Sequence, residues 1–582
     1  MKLLVLLSLL IAFSCDSQGA SEKPPATEPA PNEPTPPDQI APPDPIELPR
    51  LRETHEGSFA TSLACSVCHS NSPDARAMRG PDGEPIAPFD LWQASMKANS
   101  ARDPLFRAVL AAERAATPTR AEEIEQKCLT CHAPMATDHL RQRGEPIRLE
   151  TLYEDSRVSQ LAIDGVSCTT CHQLDPATTG TPETFSGQFR FSPEKVAYGP
   201  HEGPFERPMV NRSGFRPVAS DHITEARLCA SCHTLFTDAH LPDGTLLDAQ
   251  LPEQSPYLEW QNSAFNDEID TPGPDAASCQ DCHMPTRIGD QAVRTAIARR
   301  PDGSDFPPIG PRQPYGQHLF VGGNTLIPAI LRDHADDLNP LAPPEAFDAI
   351  IALATEQLQE RTATVSLSDL TSTEDHLAFT VTVSNLTGHK IPTAYPSRRI
   401  WLRLTVRDAT SAVVFQSGHF DTAGRLLDPQ GSPLPSEFFG GPIHPHRAEI
   451  TSPDHVQIYE SIMGDADGRP TMRLMHGATY LKDNRILPRG WHPDHPQAAH
   501  TTPQGVDDDS FRDGSDTITV RIPLTGPSPH TVEAALFYQT LSPRYADALF
   551  QWDLPEVNIF RHYYENADRT PVPVASTTAT TP

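Results

Sequence analysis

Cysteine is almost absent outside one pattern. The 582-residue chain has 11 cysteines, and none follows residue 282. Ten fall in five Cys-x-x-Cys-His pentapeptides and the eleventh is Cys15, so none is left for a structural disulfide or a separate zinc site. Positive charge is also short. Lys and Arg number 46 against 76 Asp and Glu, a formal net charge of −30. That disfavours a nucleic-acid role, because phosphate binding needs basic patches. An acidic surface can steer a cationic partner, although acidity alone usually means only solubility. Beyond the first residues, no stretch is long and apolar enough to cross a membrane. The motifs have no constant period either. Their spacings are 63, 40, 61 and 50 residues, which excludes a simple repeat array.

The leader reads MKLLVLLSLLIAFSC, one Lys followed by a mostly aliphatic run from Leu3 to Phe13. The run is too short for a membrane-spanning helix and suits a signal-peptide core. Small Ala12 and Ser14 before Cys15 resemble a bacterial lipobox, with Ala12 where Leu is more usual. The resemblance implies that residues 1–14 are removed and that Cys15 carries lipid. An ordinary secretory signal cut nearby is the alternative. Residues 15–50 then read as a tether, with 11 prolines in positions 21–50. Such a segment has little to bury and behaves as a semi-stiff, extended spacer. The expected location is that of an exported bacterial lipoprotein on the outer membrane, facing the periplasm or the cell surface, with the membrane contacted through the lipid anchor at Cys15.

The motifs are CSVCH (65–69), CLTCH (128–132), CTTCH (168–172), CASCH (229–233) and CQDCH (279–283). Structural zinc needs four ligands but does not require His directly after the second Cys each time. A thioredoxin-like site would be one motif, not five. Covalent haem explains the pattern. The two thiols add to the porphyrin vinyl groups and the next His reaches the iron. The attachment residues are then Cys65, Cys68, Cys128, Cys131, Cys168, Cys171, Cys229, Cys232, Cys279 and Cys282. The proximal ligands are His69, His132, His172, His233 and His283. Five covalently bound haem c groups are the expected cofactors, and their apolar discs replace much of the side-chain core. Helix signals lead into the motifs: Asp103 caps a helix with Pro104 at its first position, and acidic residues open AEEIEQKCLTCH.

A sixth iron ligand must come from elsewhere or the iron stays open. A lone His is more often a surface or packing residue, so position decides. His55 precedes the first motif by ten residues. His201 (VAYGPHEGP), His318 (PYGQHLFVGGN) and His389 (NLTGHKIPTAYPSRR) lie in turn-punctuated loops, and His446 sits beside His444 in GGPIHPHRAEI. His55, His201, His318, His389 and His446 are the distal candidates. His139, His222 and His240 are weaker. His492, His495, His500 and His530 read as surface, and Met96 and Met135 as core.

A helix is expected over 343–363. After it the pattern changes to period two: Phe379, Val381 and Val383 alternate with Thr380, Thr382 and Ser384, Ile400, Leu402, Leu404 and Val406 alternate with Trp401, Arg403, Thr405 and Arg407 on the outward face, and Ile518, Val520, Ile522 and Leu524 repeat the pattern. Antiparallel strands in a sandwich follow. Residues 425–510 are loop-rich, and YLKDNRILPRGW within them braces the sandwich or covers a haem. The expected architecture is multidomain: a haem-packed, mainly α and irregular pentahaem region (51–342), a connecting helix (343–363), an antiparallel β-sandwich-like domain (364–545) and a C-terminal tail (546–582).

DGVSCTTCH followed by YGPH, and EQSPYLEW before CHMP, resemble exported multihaem cytochromes c related to the tetrahaem cytochrome partner of hydroxylamine oxidoreductase. NLTGHKIPTAYPSRRIWLRLTVRD and YLKDNRILPRGW are similar to the β domain appended in larger members. The resemblance covers most of residues 51–545. It implies stacked, closely spaced haems with mainly bis-histidine ligation, and says little about the partner.

Three functions compete. The first is a carrier that passes single electrons between redox partner proteins. The alternative is a multihaem oxidoreductase with one open-site haem acting on a small nitrogen or sulfur compound. No Cys-x-x-Cys-Lys variant marks such a haem, and Arg398 and Arg399 near His389 offer an anion site, but paired Arg on a strand edge is more often solvated or ion-paired surface. The third is an assembly protein, and homo-oligomers stay open. The carrier is the favoured reading.

Overall fold

Each Cys-x-x-Cys-His lies on a helix or helical turn: Ser62–His69, Ala121–His132, Cys168–Cys171 with His172 next, Arg227–Ala230 running into Cys232 and His233, and Cys279–His283. Helical spacing puts positions i, i+3 and i+4 on one face. Two thiols and an imidazole therefore point to the same side. The computed structural model describes residues 43–581. Cys15, the leader and most of the proline-rich tether lie outside the described residues. No helix among the described residues is long and apolar enough to cross a membrane.

The helix expected at Asp103 runs Pro104–Ala116, and the Asp103 carboxylate accepts from the backbone N–H of Leu105 at 2.8 Å. Pro256–Gln261 follows Ser255, and a long helix spans Pro344–Arg361. Helix Pro104–Ala116 shares a core with Pro344–Arg361 through Ala108, Val109, Phe347 and Ile350.

In the second half the strands are β1 (Ala363–Ser372), β2 (His376–Asn385), β3 (Arg399–Arg407), β4 (Val413–Ser417), β5 (Glu449–Ile450), β6 (Ile458–Gly464), β7 (Pro470–Thr471), β8 (Thr479–Asp483), β9 (Ser515–Pro523), β10 (Thr531–Gln539) and β11 (Val572–Thr580). One sheet has the order β5-β9-β2-β1. The other has β7-β6-β3-β10-β11, with β4 on β3 and β8 on β6. All pairings are antiparallel except β5 with β9. Phe379 pairs with Val520 and Leu402 with Leu536. The alternating apolar residues of both sheets meet in one buried cluster.

Two expectations differ from the structure. Trp401, expected among outward positions, is fully buried and donates through Nε1 to the Gly418 carbonyl at 3.0 Å. The excursion that contains Phe420, Leu426, Leu434 and Val456 covers that second face. Residues 546–582, expected as a tail, are part of the fold. Helix Pro555–Asn566 buries Val557, Ile559 and Phe560 against Leu105 and Ala112, and β11 pairs along β10.

Candidate functional site

The ten motif cysteines are unpaired and half-covered, except Cys282, which is exposed. They nevertheless approach one another between motifs. Thiols of different motifs lie close enough to act on one another: Cys65 with Cys168, Cys131 with Cys232, and Cys229 with Cys279. Cys171 also lies near Cys229 and Cys232. Motif 1 therefore neighbours motif 3, and motif 4 lies near motifs 2, 3 and 5.

Four of the five imidazoles after the cysteines share one preparation. Nδ1 lies 2.9 Å from the Ile297 carbonyl in His69 and 2.9 Å from that of Ser100 in His132. In His172 it lies 2.5 Å from the Tyr198 carbonyl, and in His283 2.6 Å from that of Val321. A carbonyl only accepts, so Nδ1 carries the proton and Nε2 keeps its lone pair. This is how metal-binding histidines are oriented. Burial pushes His132 and His283 down to about 4. Burial also lowers His69 and His172. These rings are neutral at neutral pH, as ligation requires. His132 is further fixed by Phe106, stacked at 3.6 Å between ring centroids.

Two proximal rings face a second imidazole. His172 and His318 have ring centroids 6.3 Å apart and planes 16° from parallel. His283 and His389 are 6.5 Å apart at 15°. His318 holds its Nδ1 3.0 Å from the Gly316 carbonyl, and His389 its own 2.9 Å from that of Lys390. All four rings thus carry the same tautomer. Each gap has room for one metal atom with a bond of roughly 2 Å to each imidazole. The residues fit covalent haem: ten thiols in motif register, four proximal lone pairs kept free, and two opposed imidazole pairs.

The other distal candidates sit elsewhere. His55 turns its Nε2 toward the Glu53 carboxylate at 3.5 Å. His201 lies in a half-buried loop, lowered by burial and then by Arg312. Neither ring stacks on a proximal imidazole. His446 of the β domain is placed against Gln457 and Asp508 rather than as a distal ligand, against expectation. Its Nδ1 accepts from the Gln457 amide at 2.9 Å, so Nε2 bears the proton and faces Asp508 at 3.3 Å. That tautomer has no lone pair on Nε2 for iron. With Asp516 it forms a small buried cluster. Two weaker candidates look more like ligands than these. His240 donates from Nδ1 to the Asp238 carbonyl at 3.0 Å and leaves its buried Nε2 unpartnered. The Nε2 of His222 is also buried and unpartnered. Arg399 is no anion site. It is buried and pairs bidentately with Glu437 at 2.7 and 2.8 Å.

Two carboxylates position these elements. Glu259, in the helix before motif 5, accepts from the Lys390 backbone N–H at 3.0 Å and the Thr393 hydroxyl at 2.5 Å. Arg485, from YLKDNRILPRGW, adds an ion pair to Glu259 at 3.4 Å. The loop that presents His389 is thereby tied to the haem-motif half. Asp164, just before motif 3, receives the Ser62 N–H at 2.7 Å and its hydroxyl at 2.6 Å, which tethers the motif 1 helix. Gly165 follows at φ +61°, and a Cβ there would lie 2.7 Å from the Lys97 carbonyl. Glycine is required on both counts.

Lys97 was not legible in the sequence. Its Nζ lies 2.6 Å from Nε2 of His233, across 136 residues. A short local pattern carries no signal for such a pair.

No family model matches the chain, and no curated protein matches it. Among solved structures, it is similar to a penta-heme cytochrome c552 from Thermochromatium tepidum, with 16% identity, a TM-score of 0.46, and coverage of 92% of this chain and 100% of that one.

Proposed function

We propose that this protein is an extracytoplasmic pentahaem c-type cytochrome that transfers single electrons between redox partners. The observation that carries the reading is the set of five Cys-x-x-Cys-His motifs, four of whose imidazoles hold Nδ1 on a carbonyl and keep Nε2 free, two of these facing a second histidine. Haem bound there supplies one-electron chemistry, with potentials set by axial ligands, burial and nearby charge. The chain supplies the rest. Its carbonyls fix the tautomers, and its loops bring His318 and His389 into place. Its motif contacts suggest an order of neighbours 1–3–4–5, with 2 joined at 4. A haem-packed region followed by a β-sandwich-like domain is the matching architecture. The leader and Cys15 support export and a lipid anchor, and the acidic surface suits a basic redox partner.

The test is a haem count by mass and absorbance on the exported holoprotein, with electron paramagnetic resonance on the same sample. Five haems with reversible one-electron titrations support the proposal. Fewer than five, or turnover of a small nitrogen or sulfur compound at an open iron, overturns the carrier reading.

A further inference from the structure

The fourth motif departs from the others. His233 has no Nδ1–carbonyl bond among the described residues, and its Nε2 is met by the tip of Lys97 at 2.6 Å. The Nε2 atom of a Cys-x-x-Cys-His histidine is the one that turns to iron. A second nitrogen base has therefore been carried to the iron position of this motif.

The backbone holds Lys97 there. Its carbonyl accepts from the Val166 N–H at 2.9 Å, and Gly165 lets that strand of chain approach. Trp92 donates from Nε1 to the Val166 carbonyl at 3.0 Å. Ser100, three residues on, receives Nδ1 of His132 on its carbonyl. Lys97 is thus clamped between the segments leading to motifs 2 and 3, while its side chain enters motif 4. It lies close enough to Cys171, Cys229 and Cys232 for its charge to act on all three. It forms no ion pair with a carboxylate among the described residues.

We propose that Lys97 is the sixth ligand of the haem carried by Cys229, Cys232 and His233, so that this one centre has histidine–lysine rather than bis-histidine ligation. The inference rests on the cytochrome reading above. A lysine amine binds iron through its lone pair, after its proton has passed to water, and no electron moves in that step. Two metal–nitrogen bonds of roughly 2 Å each need the nitrogens about 4 Å apart. The four-carbon stem of lysine is flexible enough to withdraw that far. Because motif 4 lies near motifs 2, 3 and 5, the unusual centre sits at the junction of the chain of haems. An amine ligand there separates its potential from those of its neighbours.

The experiment uses the full-length holoprotein, its K97A variant and its K97M variant, with haem counted in each. Electron paramagnetic resonance and near-infrared magnetic circular dichroism read the ligands. The wild type is expected to show one low-spin centre with an amine–imidazole charge-transfer band, distinct from the bis-imidazole bands. K97A should keep five haems, lose that band and convert one centre in five to high spin. K97M should give a thioether–imidazole band or the same high-spin signal. The near-infrared spectrum of the wild type needs no variant, so a variant that fails to fold leaves the proposal testable. Five haems with no amine–imidazole band overturn it and leave the cytochrome reading standing. A wild type with fewer than five haems overturns the cytochrome reading itself.

Discussion

His172 and His318 hold their rings 6.3 Å apart and 16° from parallel, although 146 residues separate them in sequence. Nothing else in the loop PYGQHLFVGGN requires that alignment. The Gly316 carbonyl sets the His318 tautomer, and burial pushes its basicity down to about 3. The ring is thus a neutral donor at any physiological pH. On the proposed cytochrome reading, replacing it by Ala removes one axial ligand but no thioether. The H318A variant should keep all five haems and show a high-spin signal worth one of them. H389A should do the same at the motif 5 haem. An unchanged low-spin spectrum in either variant would remove that histidine from the ligand set.

Glu259 is a positioning residue for His389. It is fully buried and joins the haem-motif half to the β domain through Lys390, Thr393 and Arg485. Removing one partner of a buried ionic cluster leaves the others uncompensated, typically at a cost of about 3–5 kcal/mol. E259A should lower the denaturation midpoint accordingly and make the motif 5 haem partly high-spin, because the loop 386–394 loses its anchor. E259Q keeps the shape and should retain the low-spin signal while losing less stability. A Glu259→Ala protein with both properties intact would show that the loop is held by other contacts.

Asp164 gives a pH dependence with a defined sign. Burial raises its carboxyl to about 6, against the opposing hydrogen bonds from Ser167 and Ser62 and the charge of Arg102. The same group in the unfolded chain ionises near 3.9. Its folded value is the higher one. Its contribution is therefore complete below pH of about 4 and is lost as pH rises through about 6, up to about 3 kcal/mol in all. D164N stays neutral and can still bond both groups of Ser62. The wild type should lose stability relative to D164N between about pH 4 and about pH 6, measured as the difference in urea midpoints. A constant difference across that range would mean that Asp164 is ionised in the folded protein throughout.

What the sequence shows best is what is local. The five motifs stand out because each is written in five consecutive residues, and the structure sets each of them on a helix or helical turn. The period-two runs at Phe379–Val383 and Ile400–Val406 lie in β2 and β3, with Phe379, Val381, Ile400 and Leu402 buried. Trp401 misled because its cover comes from Leu426 and Leu434, a distant excursion that no alternation in β3 announces. His446 misled because a polar loop next to Pro suggests a ligand, whereas Gln457 and Asp508 decide its tautomer from other segments of the chain. Lys97 left no trace at all. A lysine becomes notable only when folding brings it against one imidazole. The C-terminal strand was missed for a related reason. VPVASTTAT buries Val574 but alternates too weakly to stand out from a solvated segment.

That last segment makes a strong prediction. β11 covers the edge of β10 along its length, from Thr531 against Thr580 to Tyr538 against Val572. Helix Pro555–Asn566 buries Val557, Phe560, Tyr563 and Tyr564 in the core shared with Leu105 and Phe347. Fully burying a large apolar side chain stabilises by about 1.5–3 kcal/mol. Those four and Val574 together approach the whole stability of a typical domain, about 5–15 kcal/mol. A chain ending at residue 545 also leaves the backbone groups of β10 open to pairing with other molecules. It should accumulate as insoluble material rather than as holoprotein. V574D in the full-length chain tests the same contact more gently, and should lower the melting temperature while leaving the haem count at five. Soluble truncated protein with five haems and an unchanged melting temperature would show that the core closes without residues 546–582.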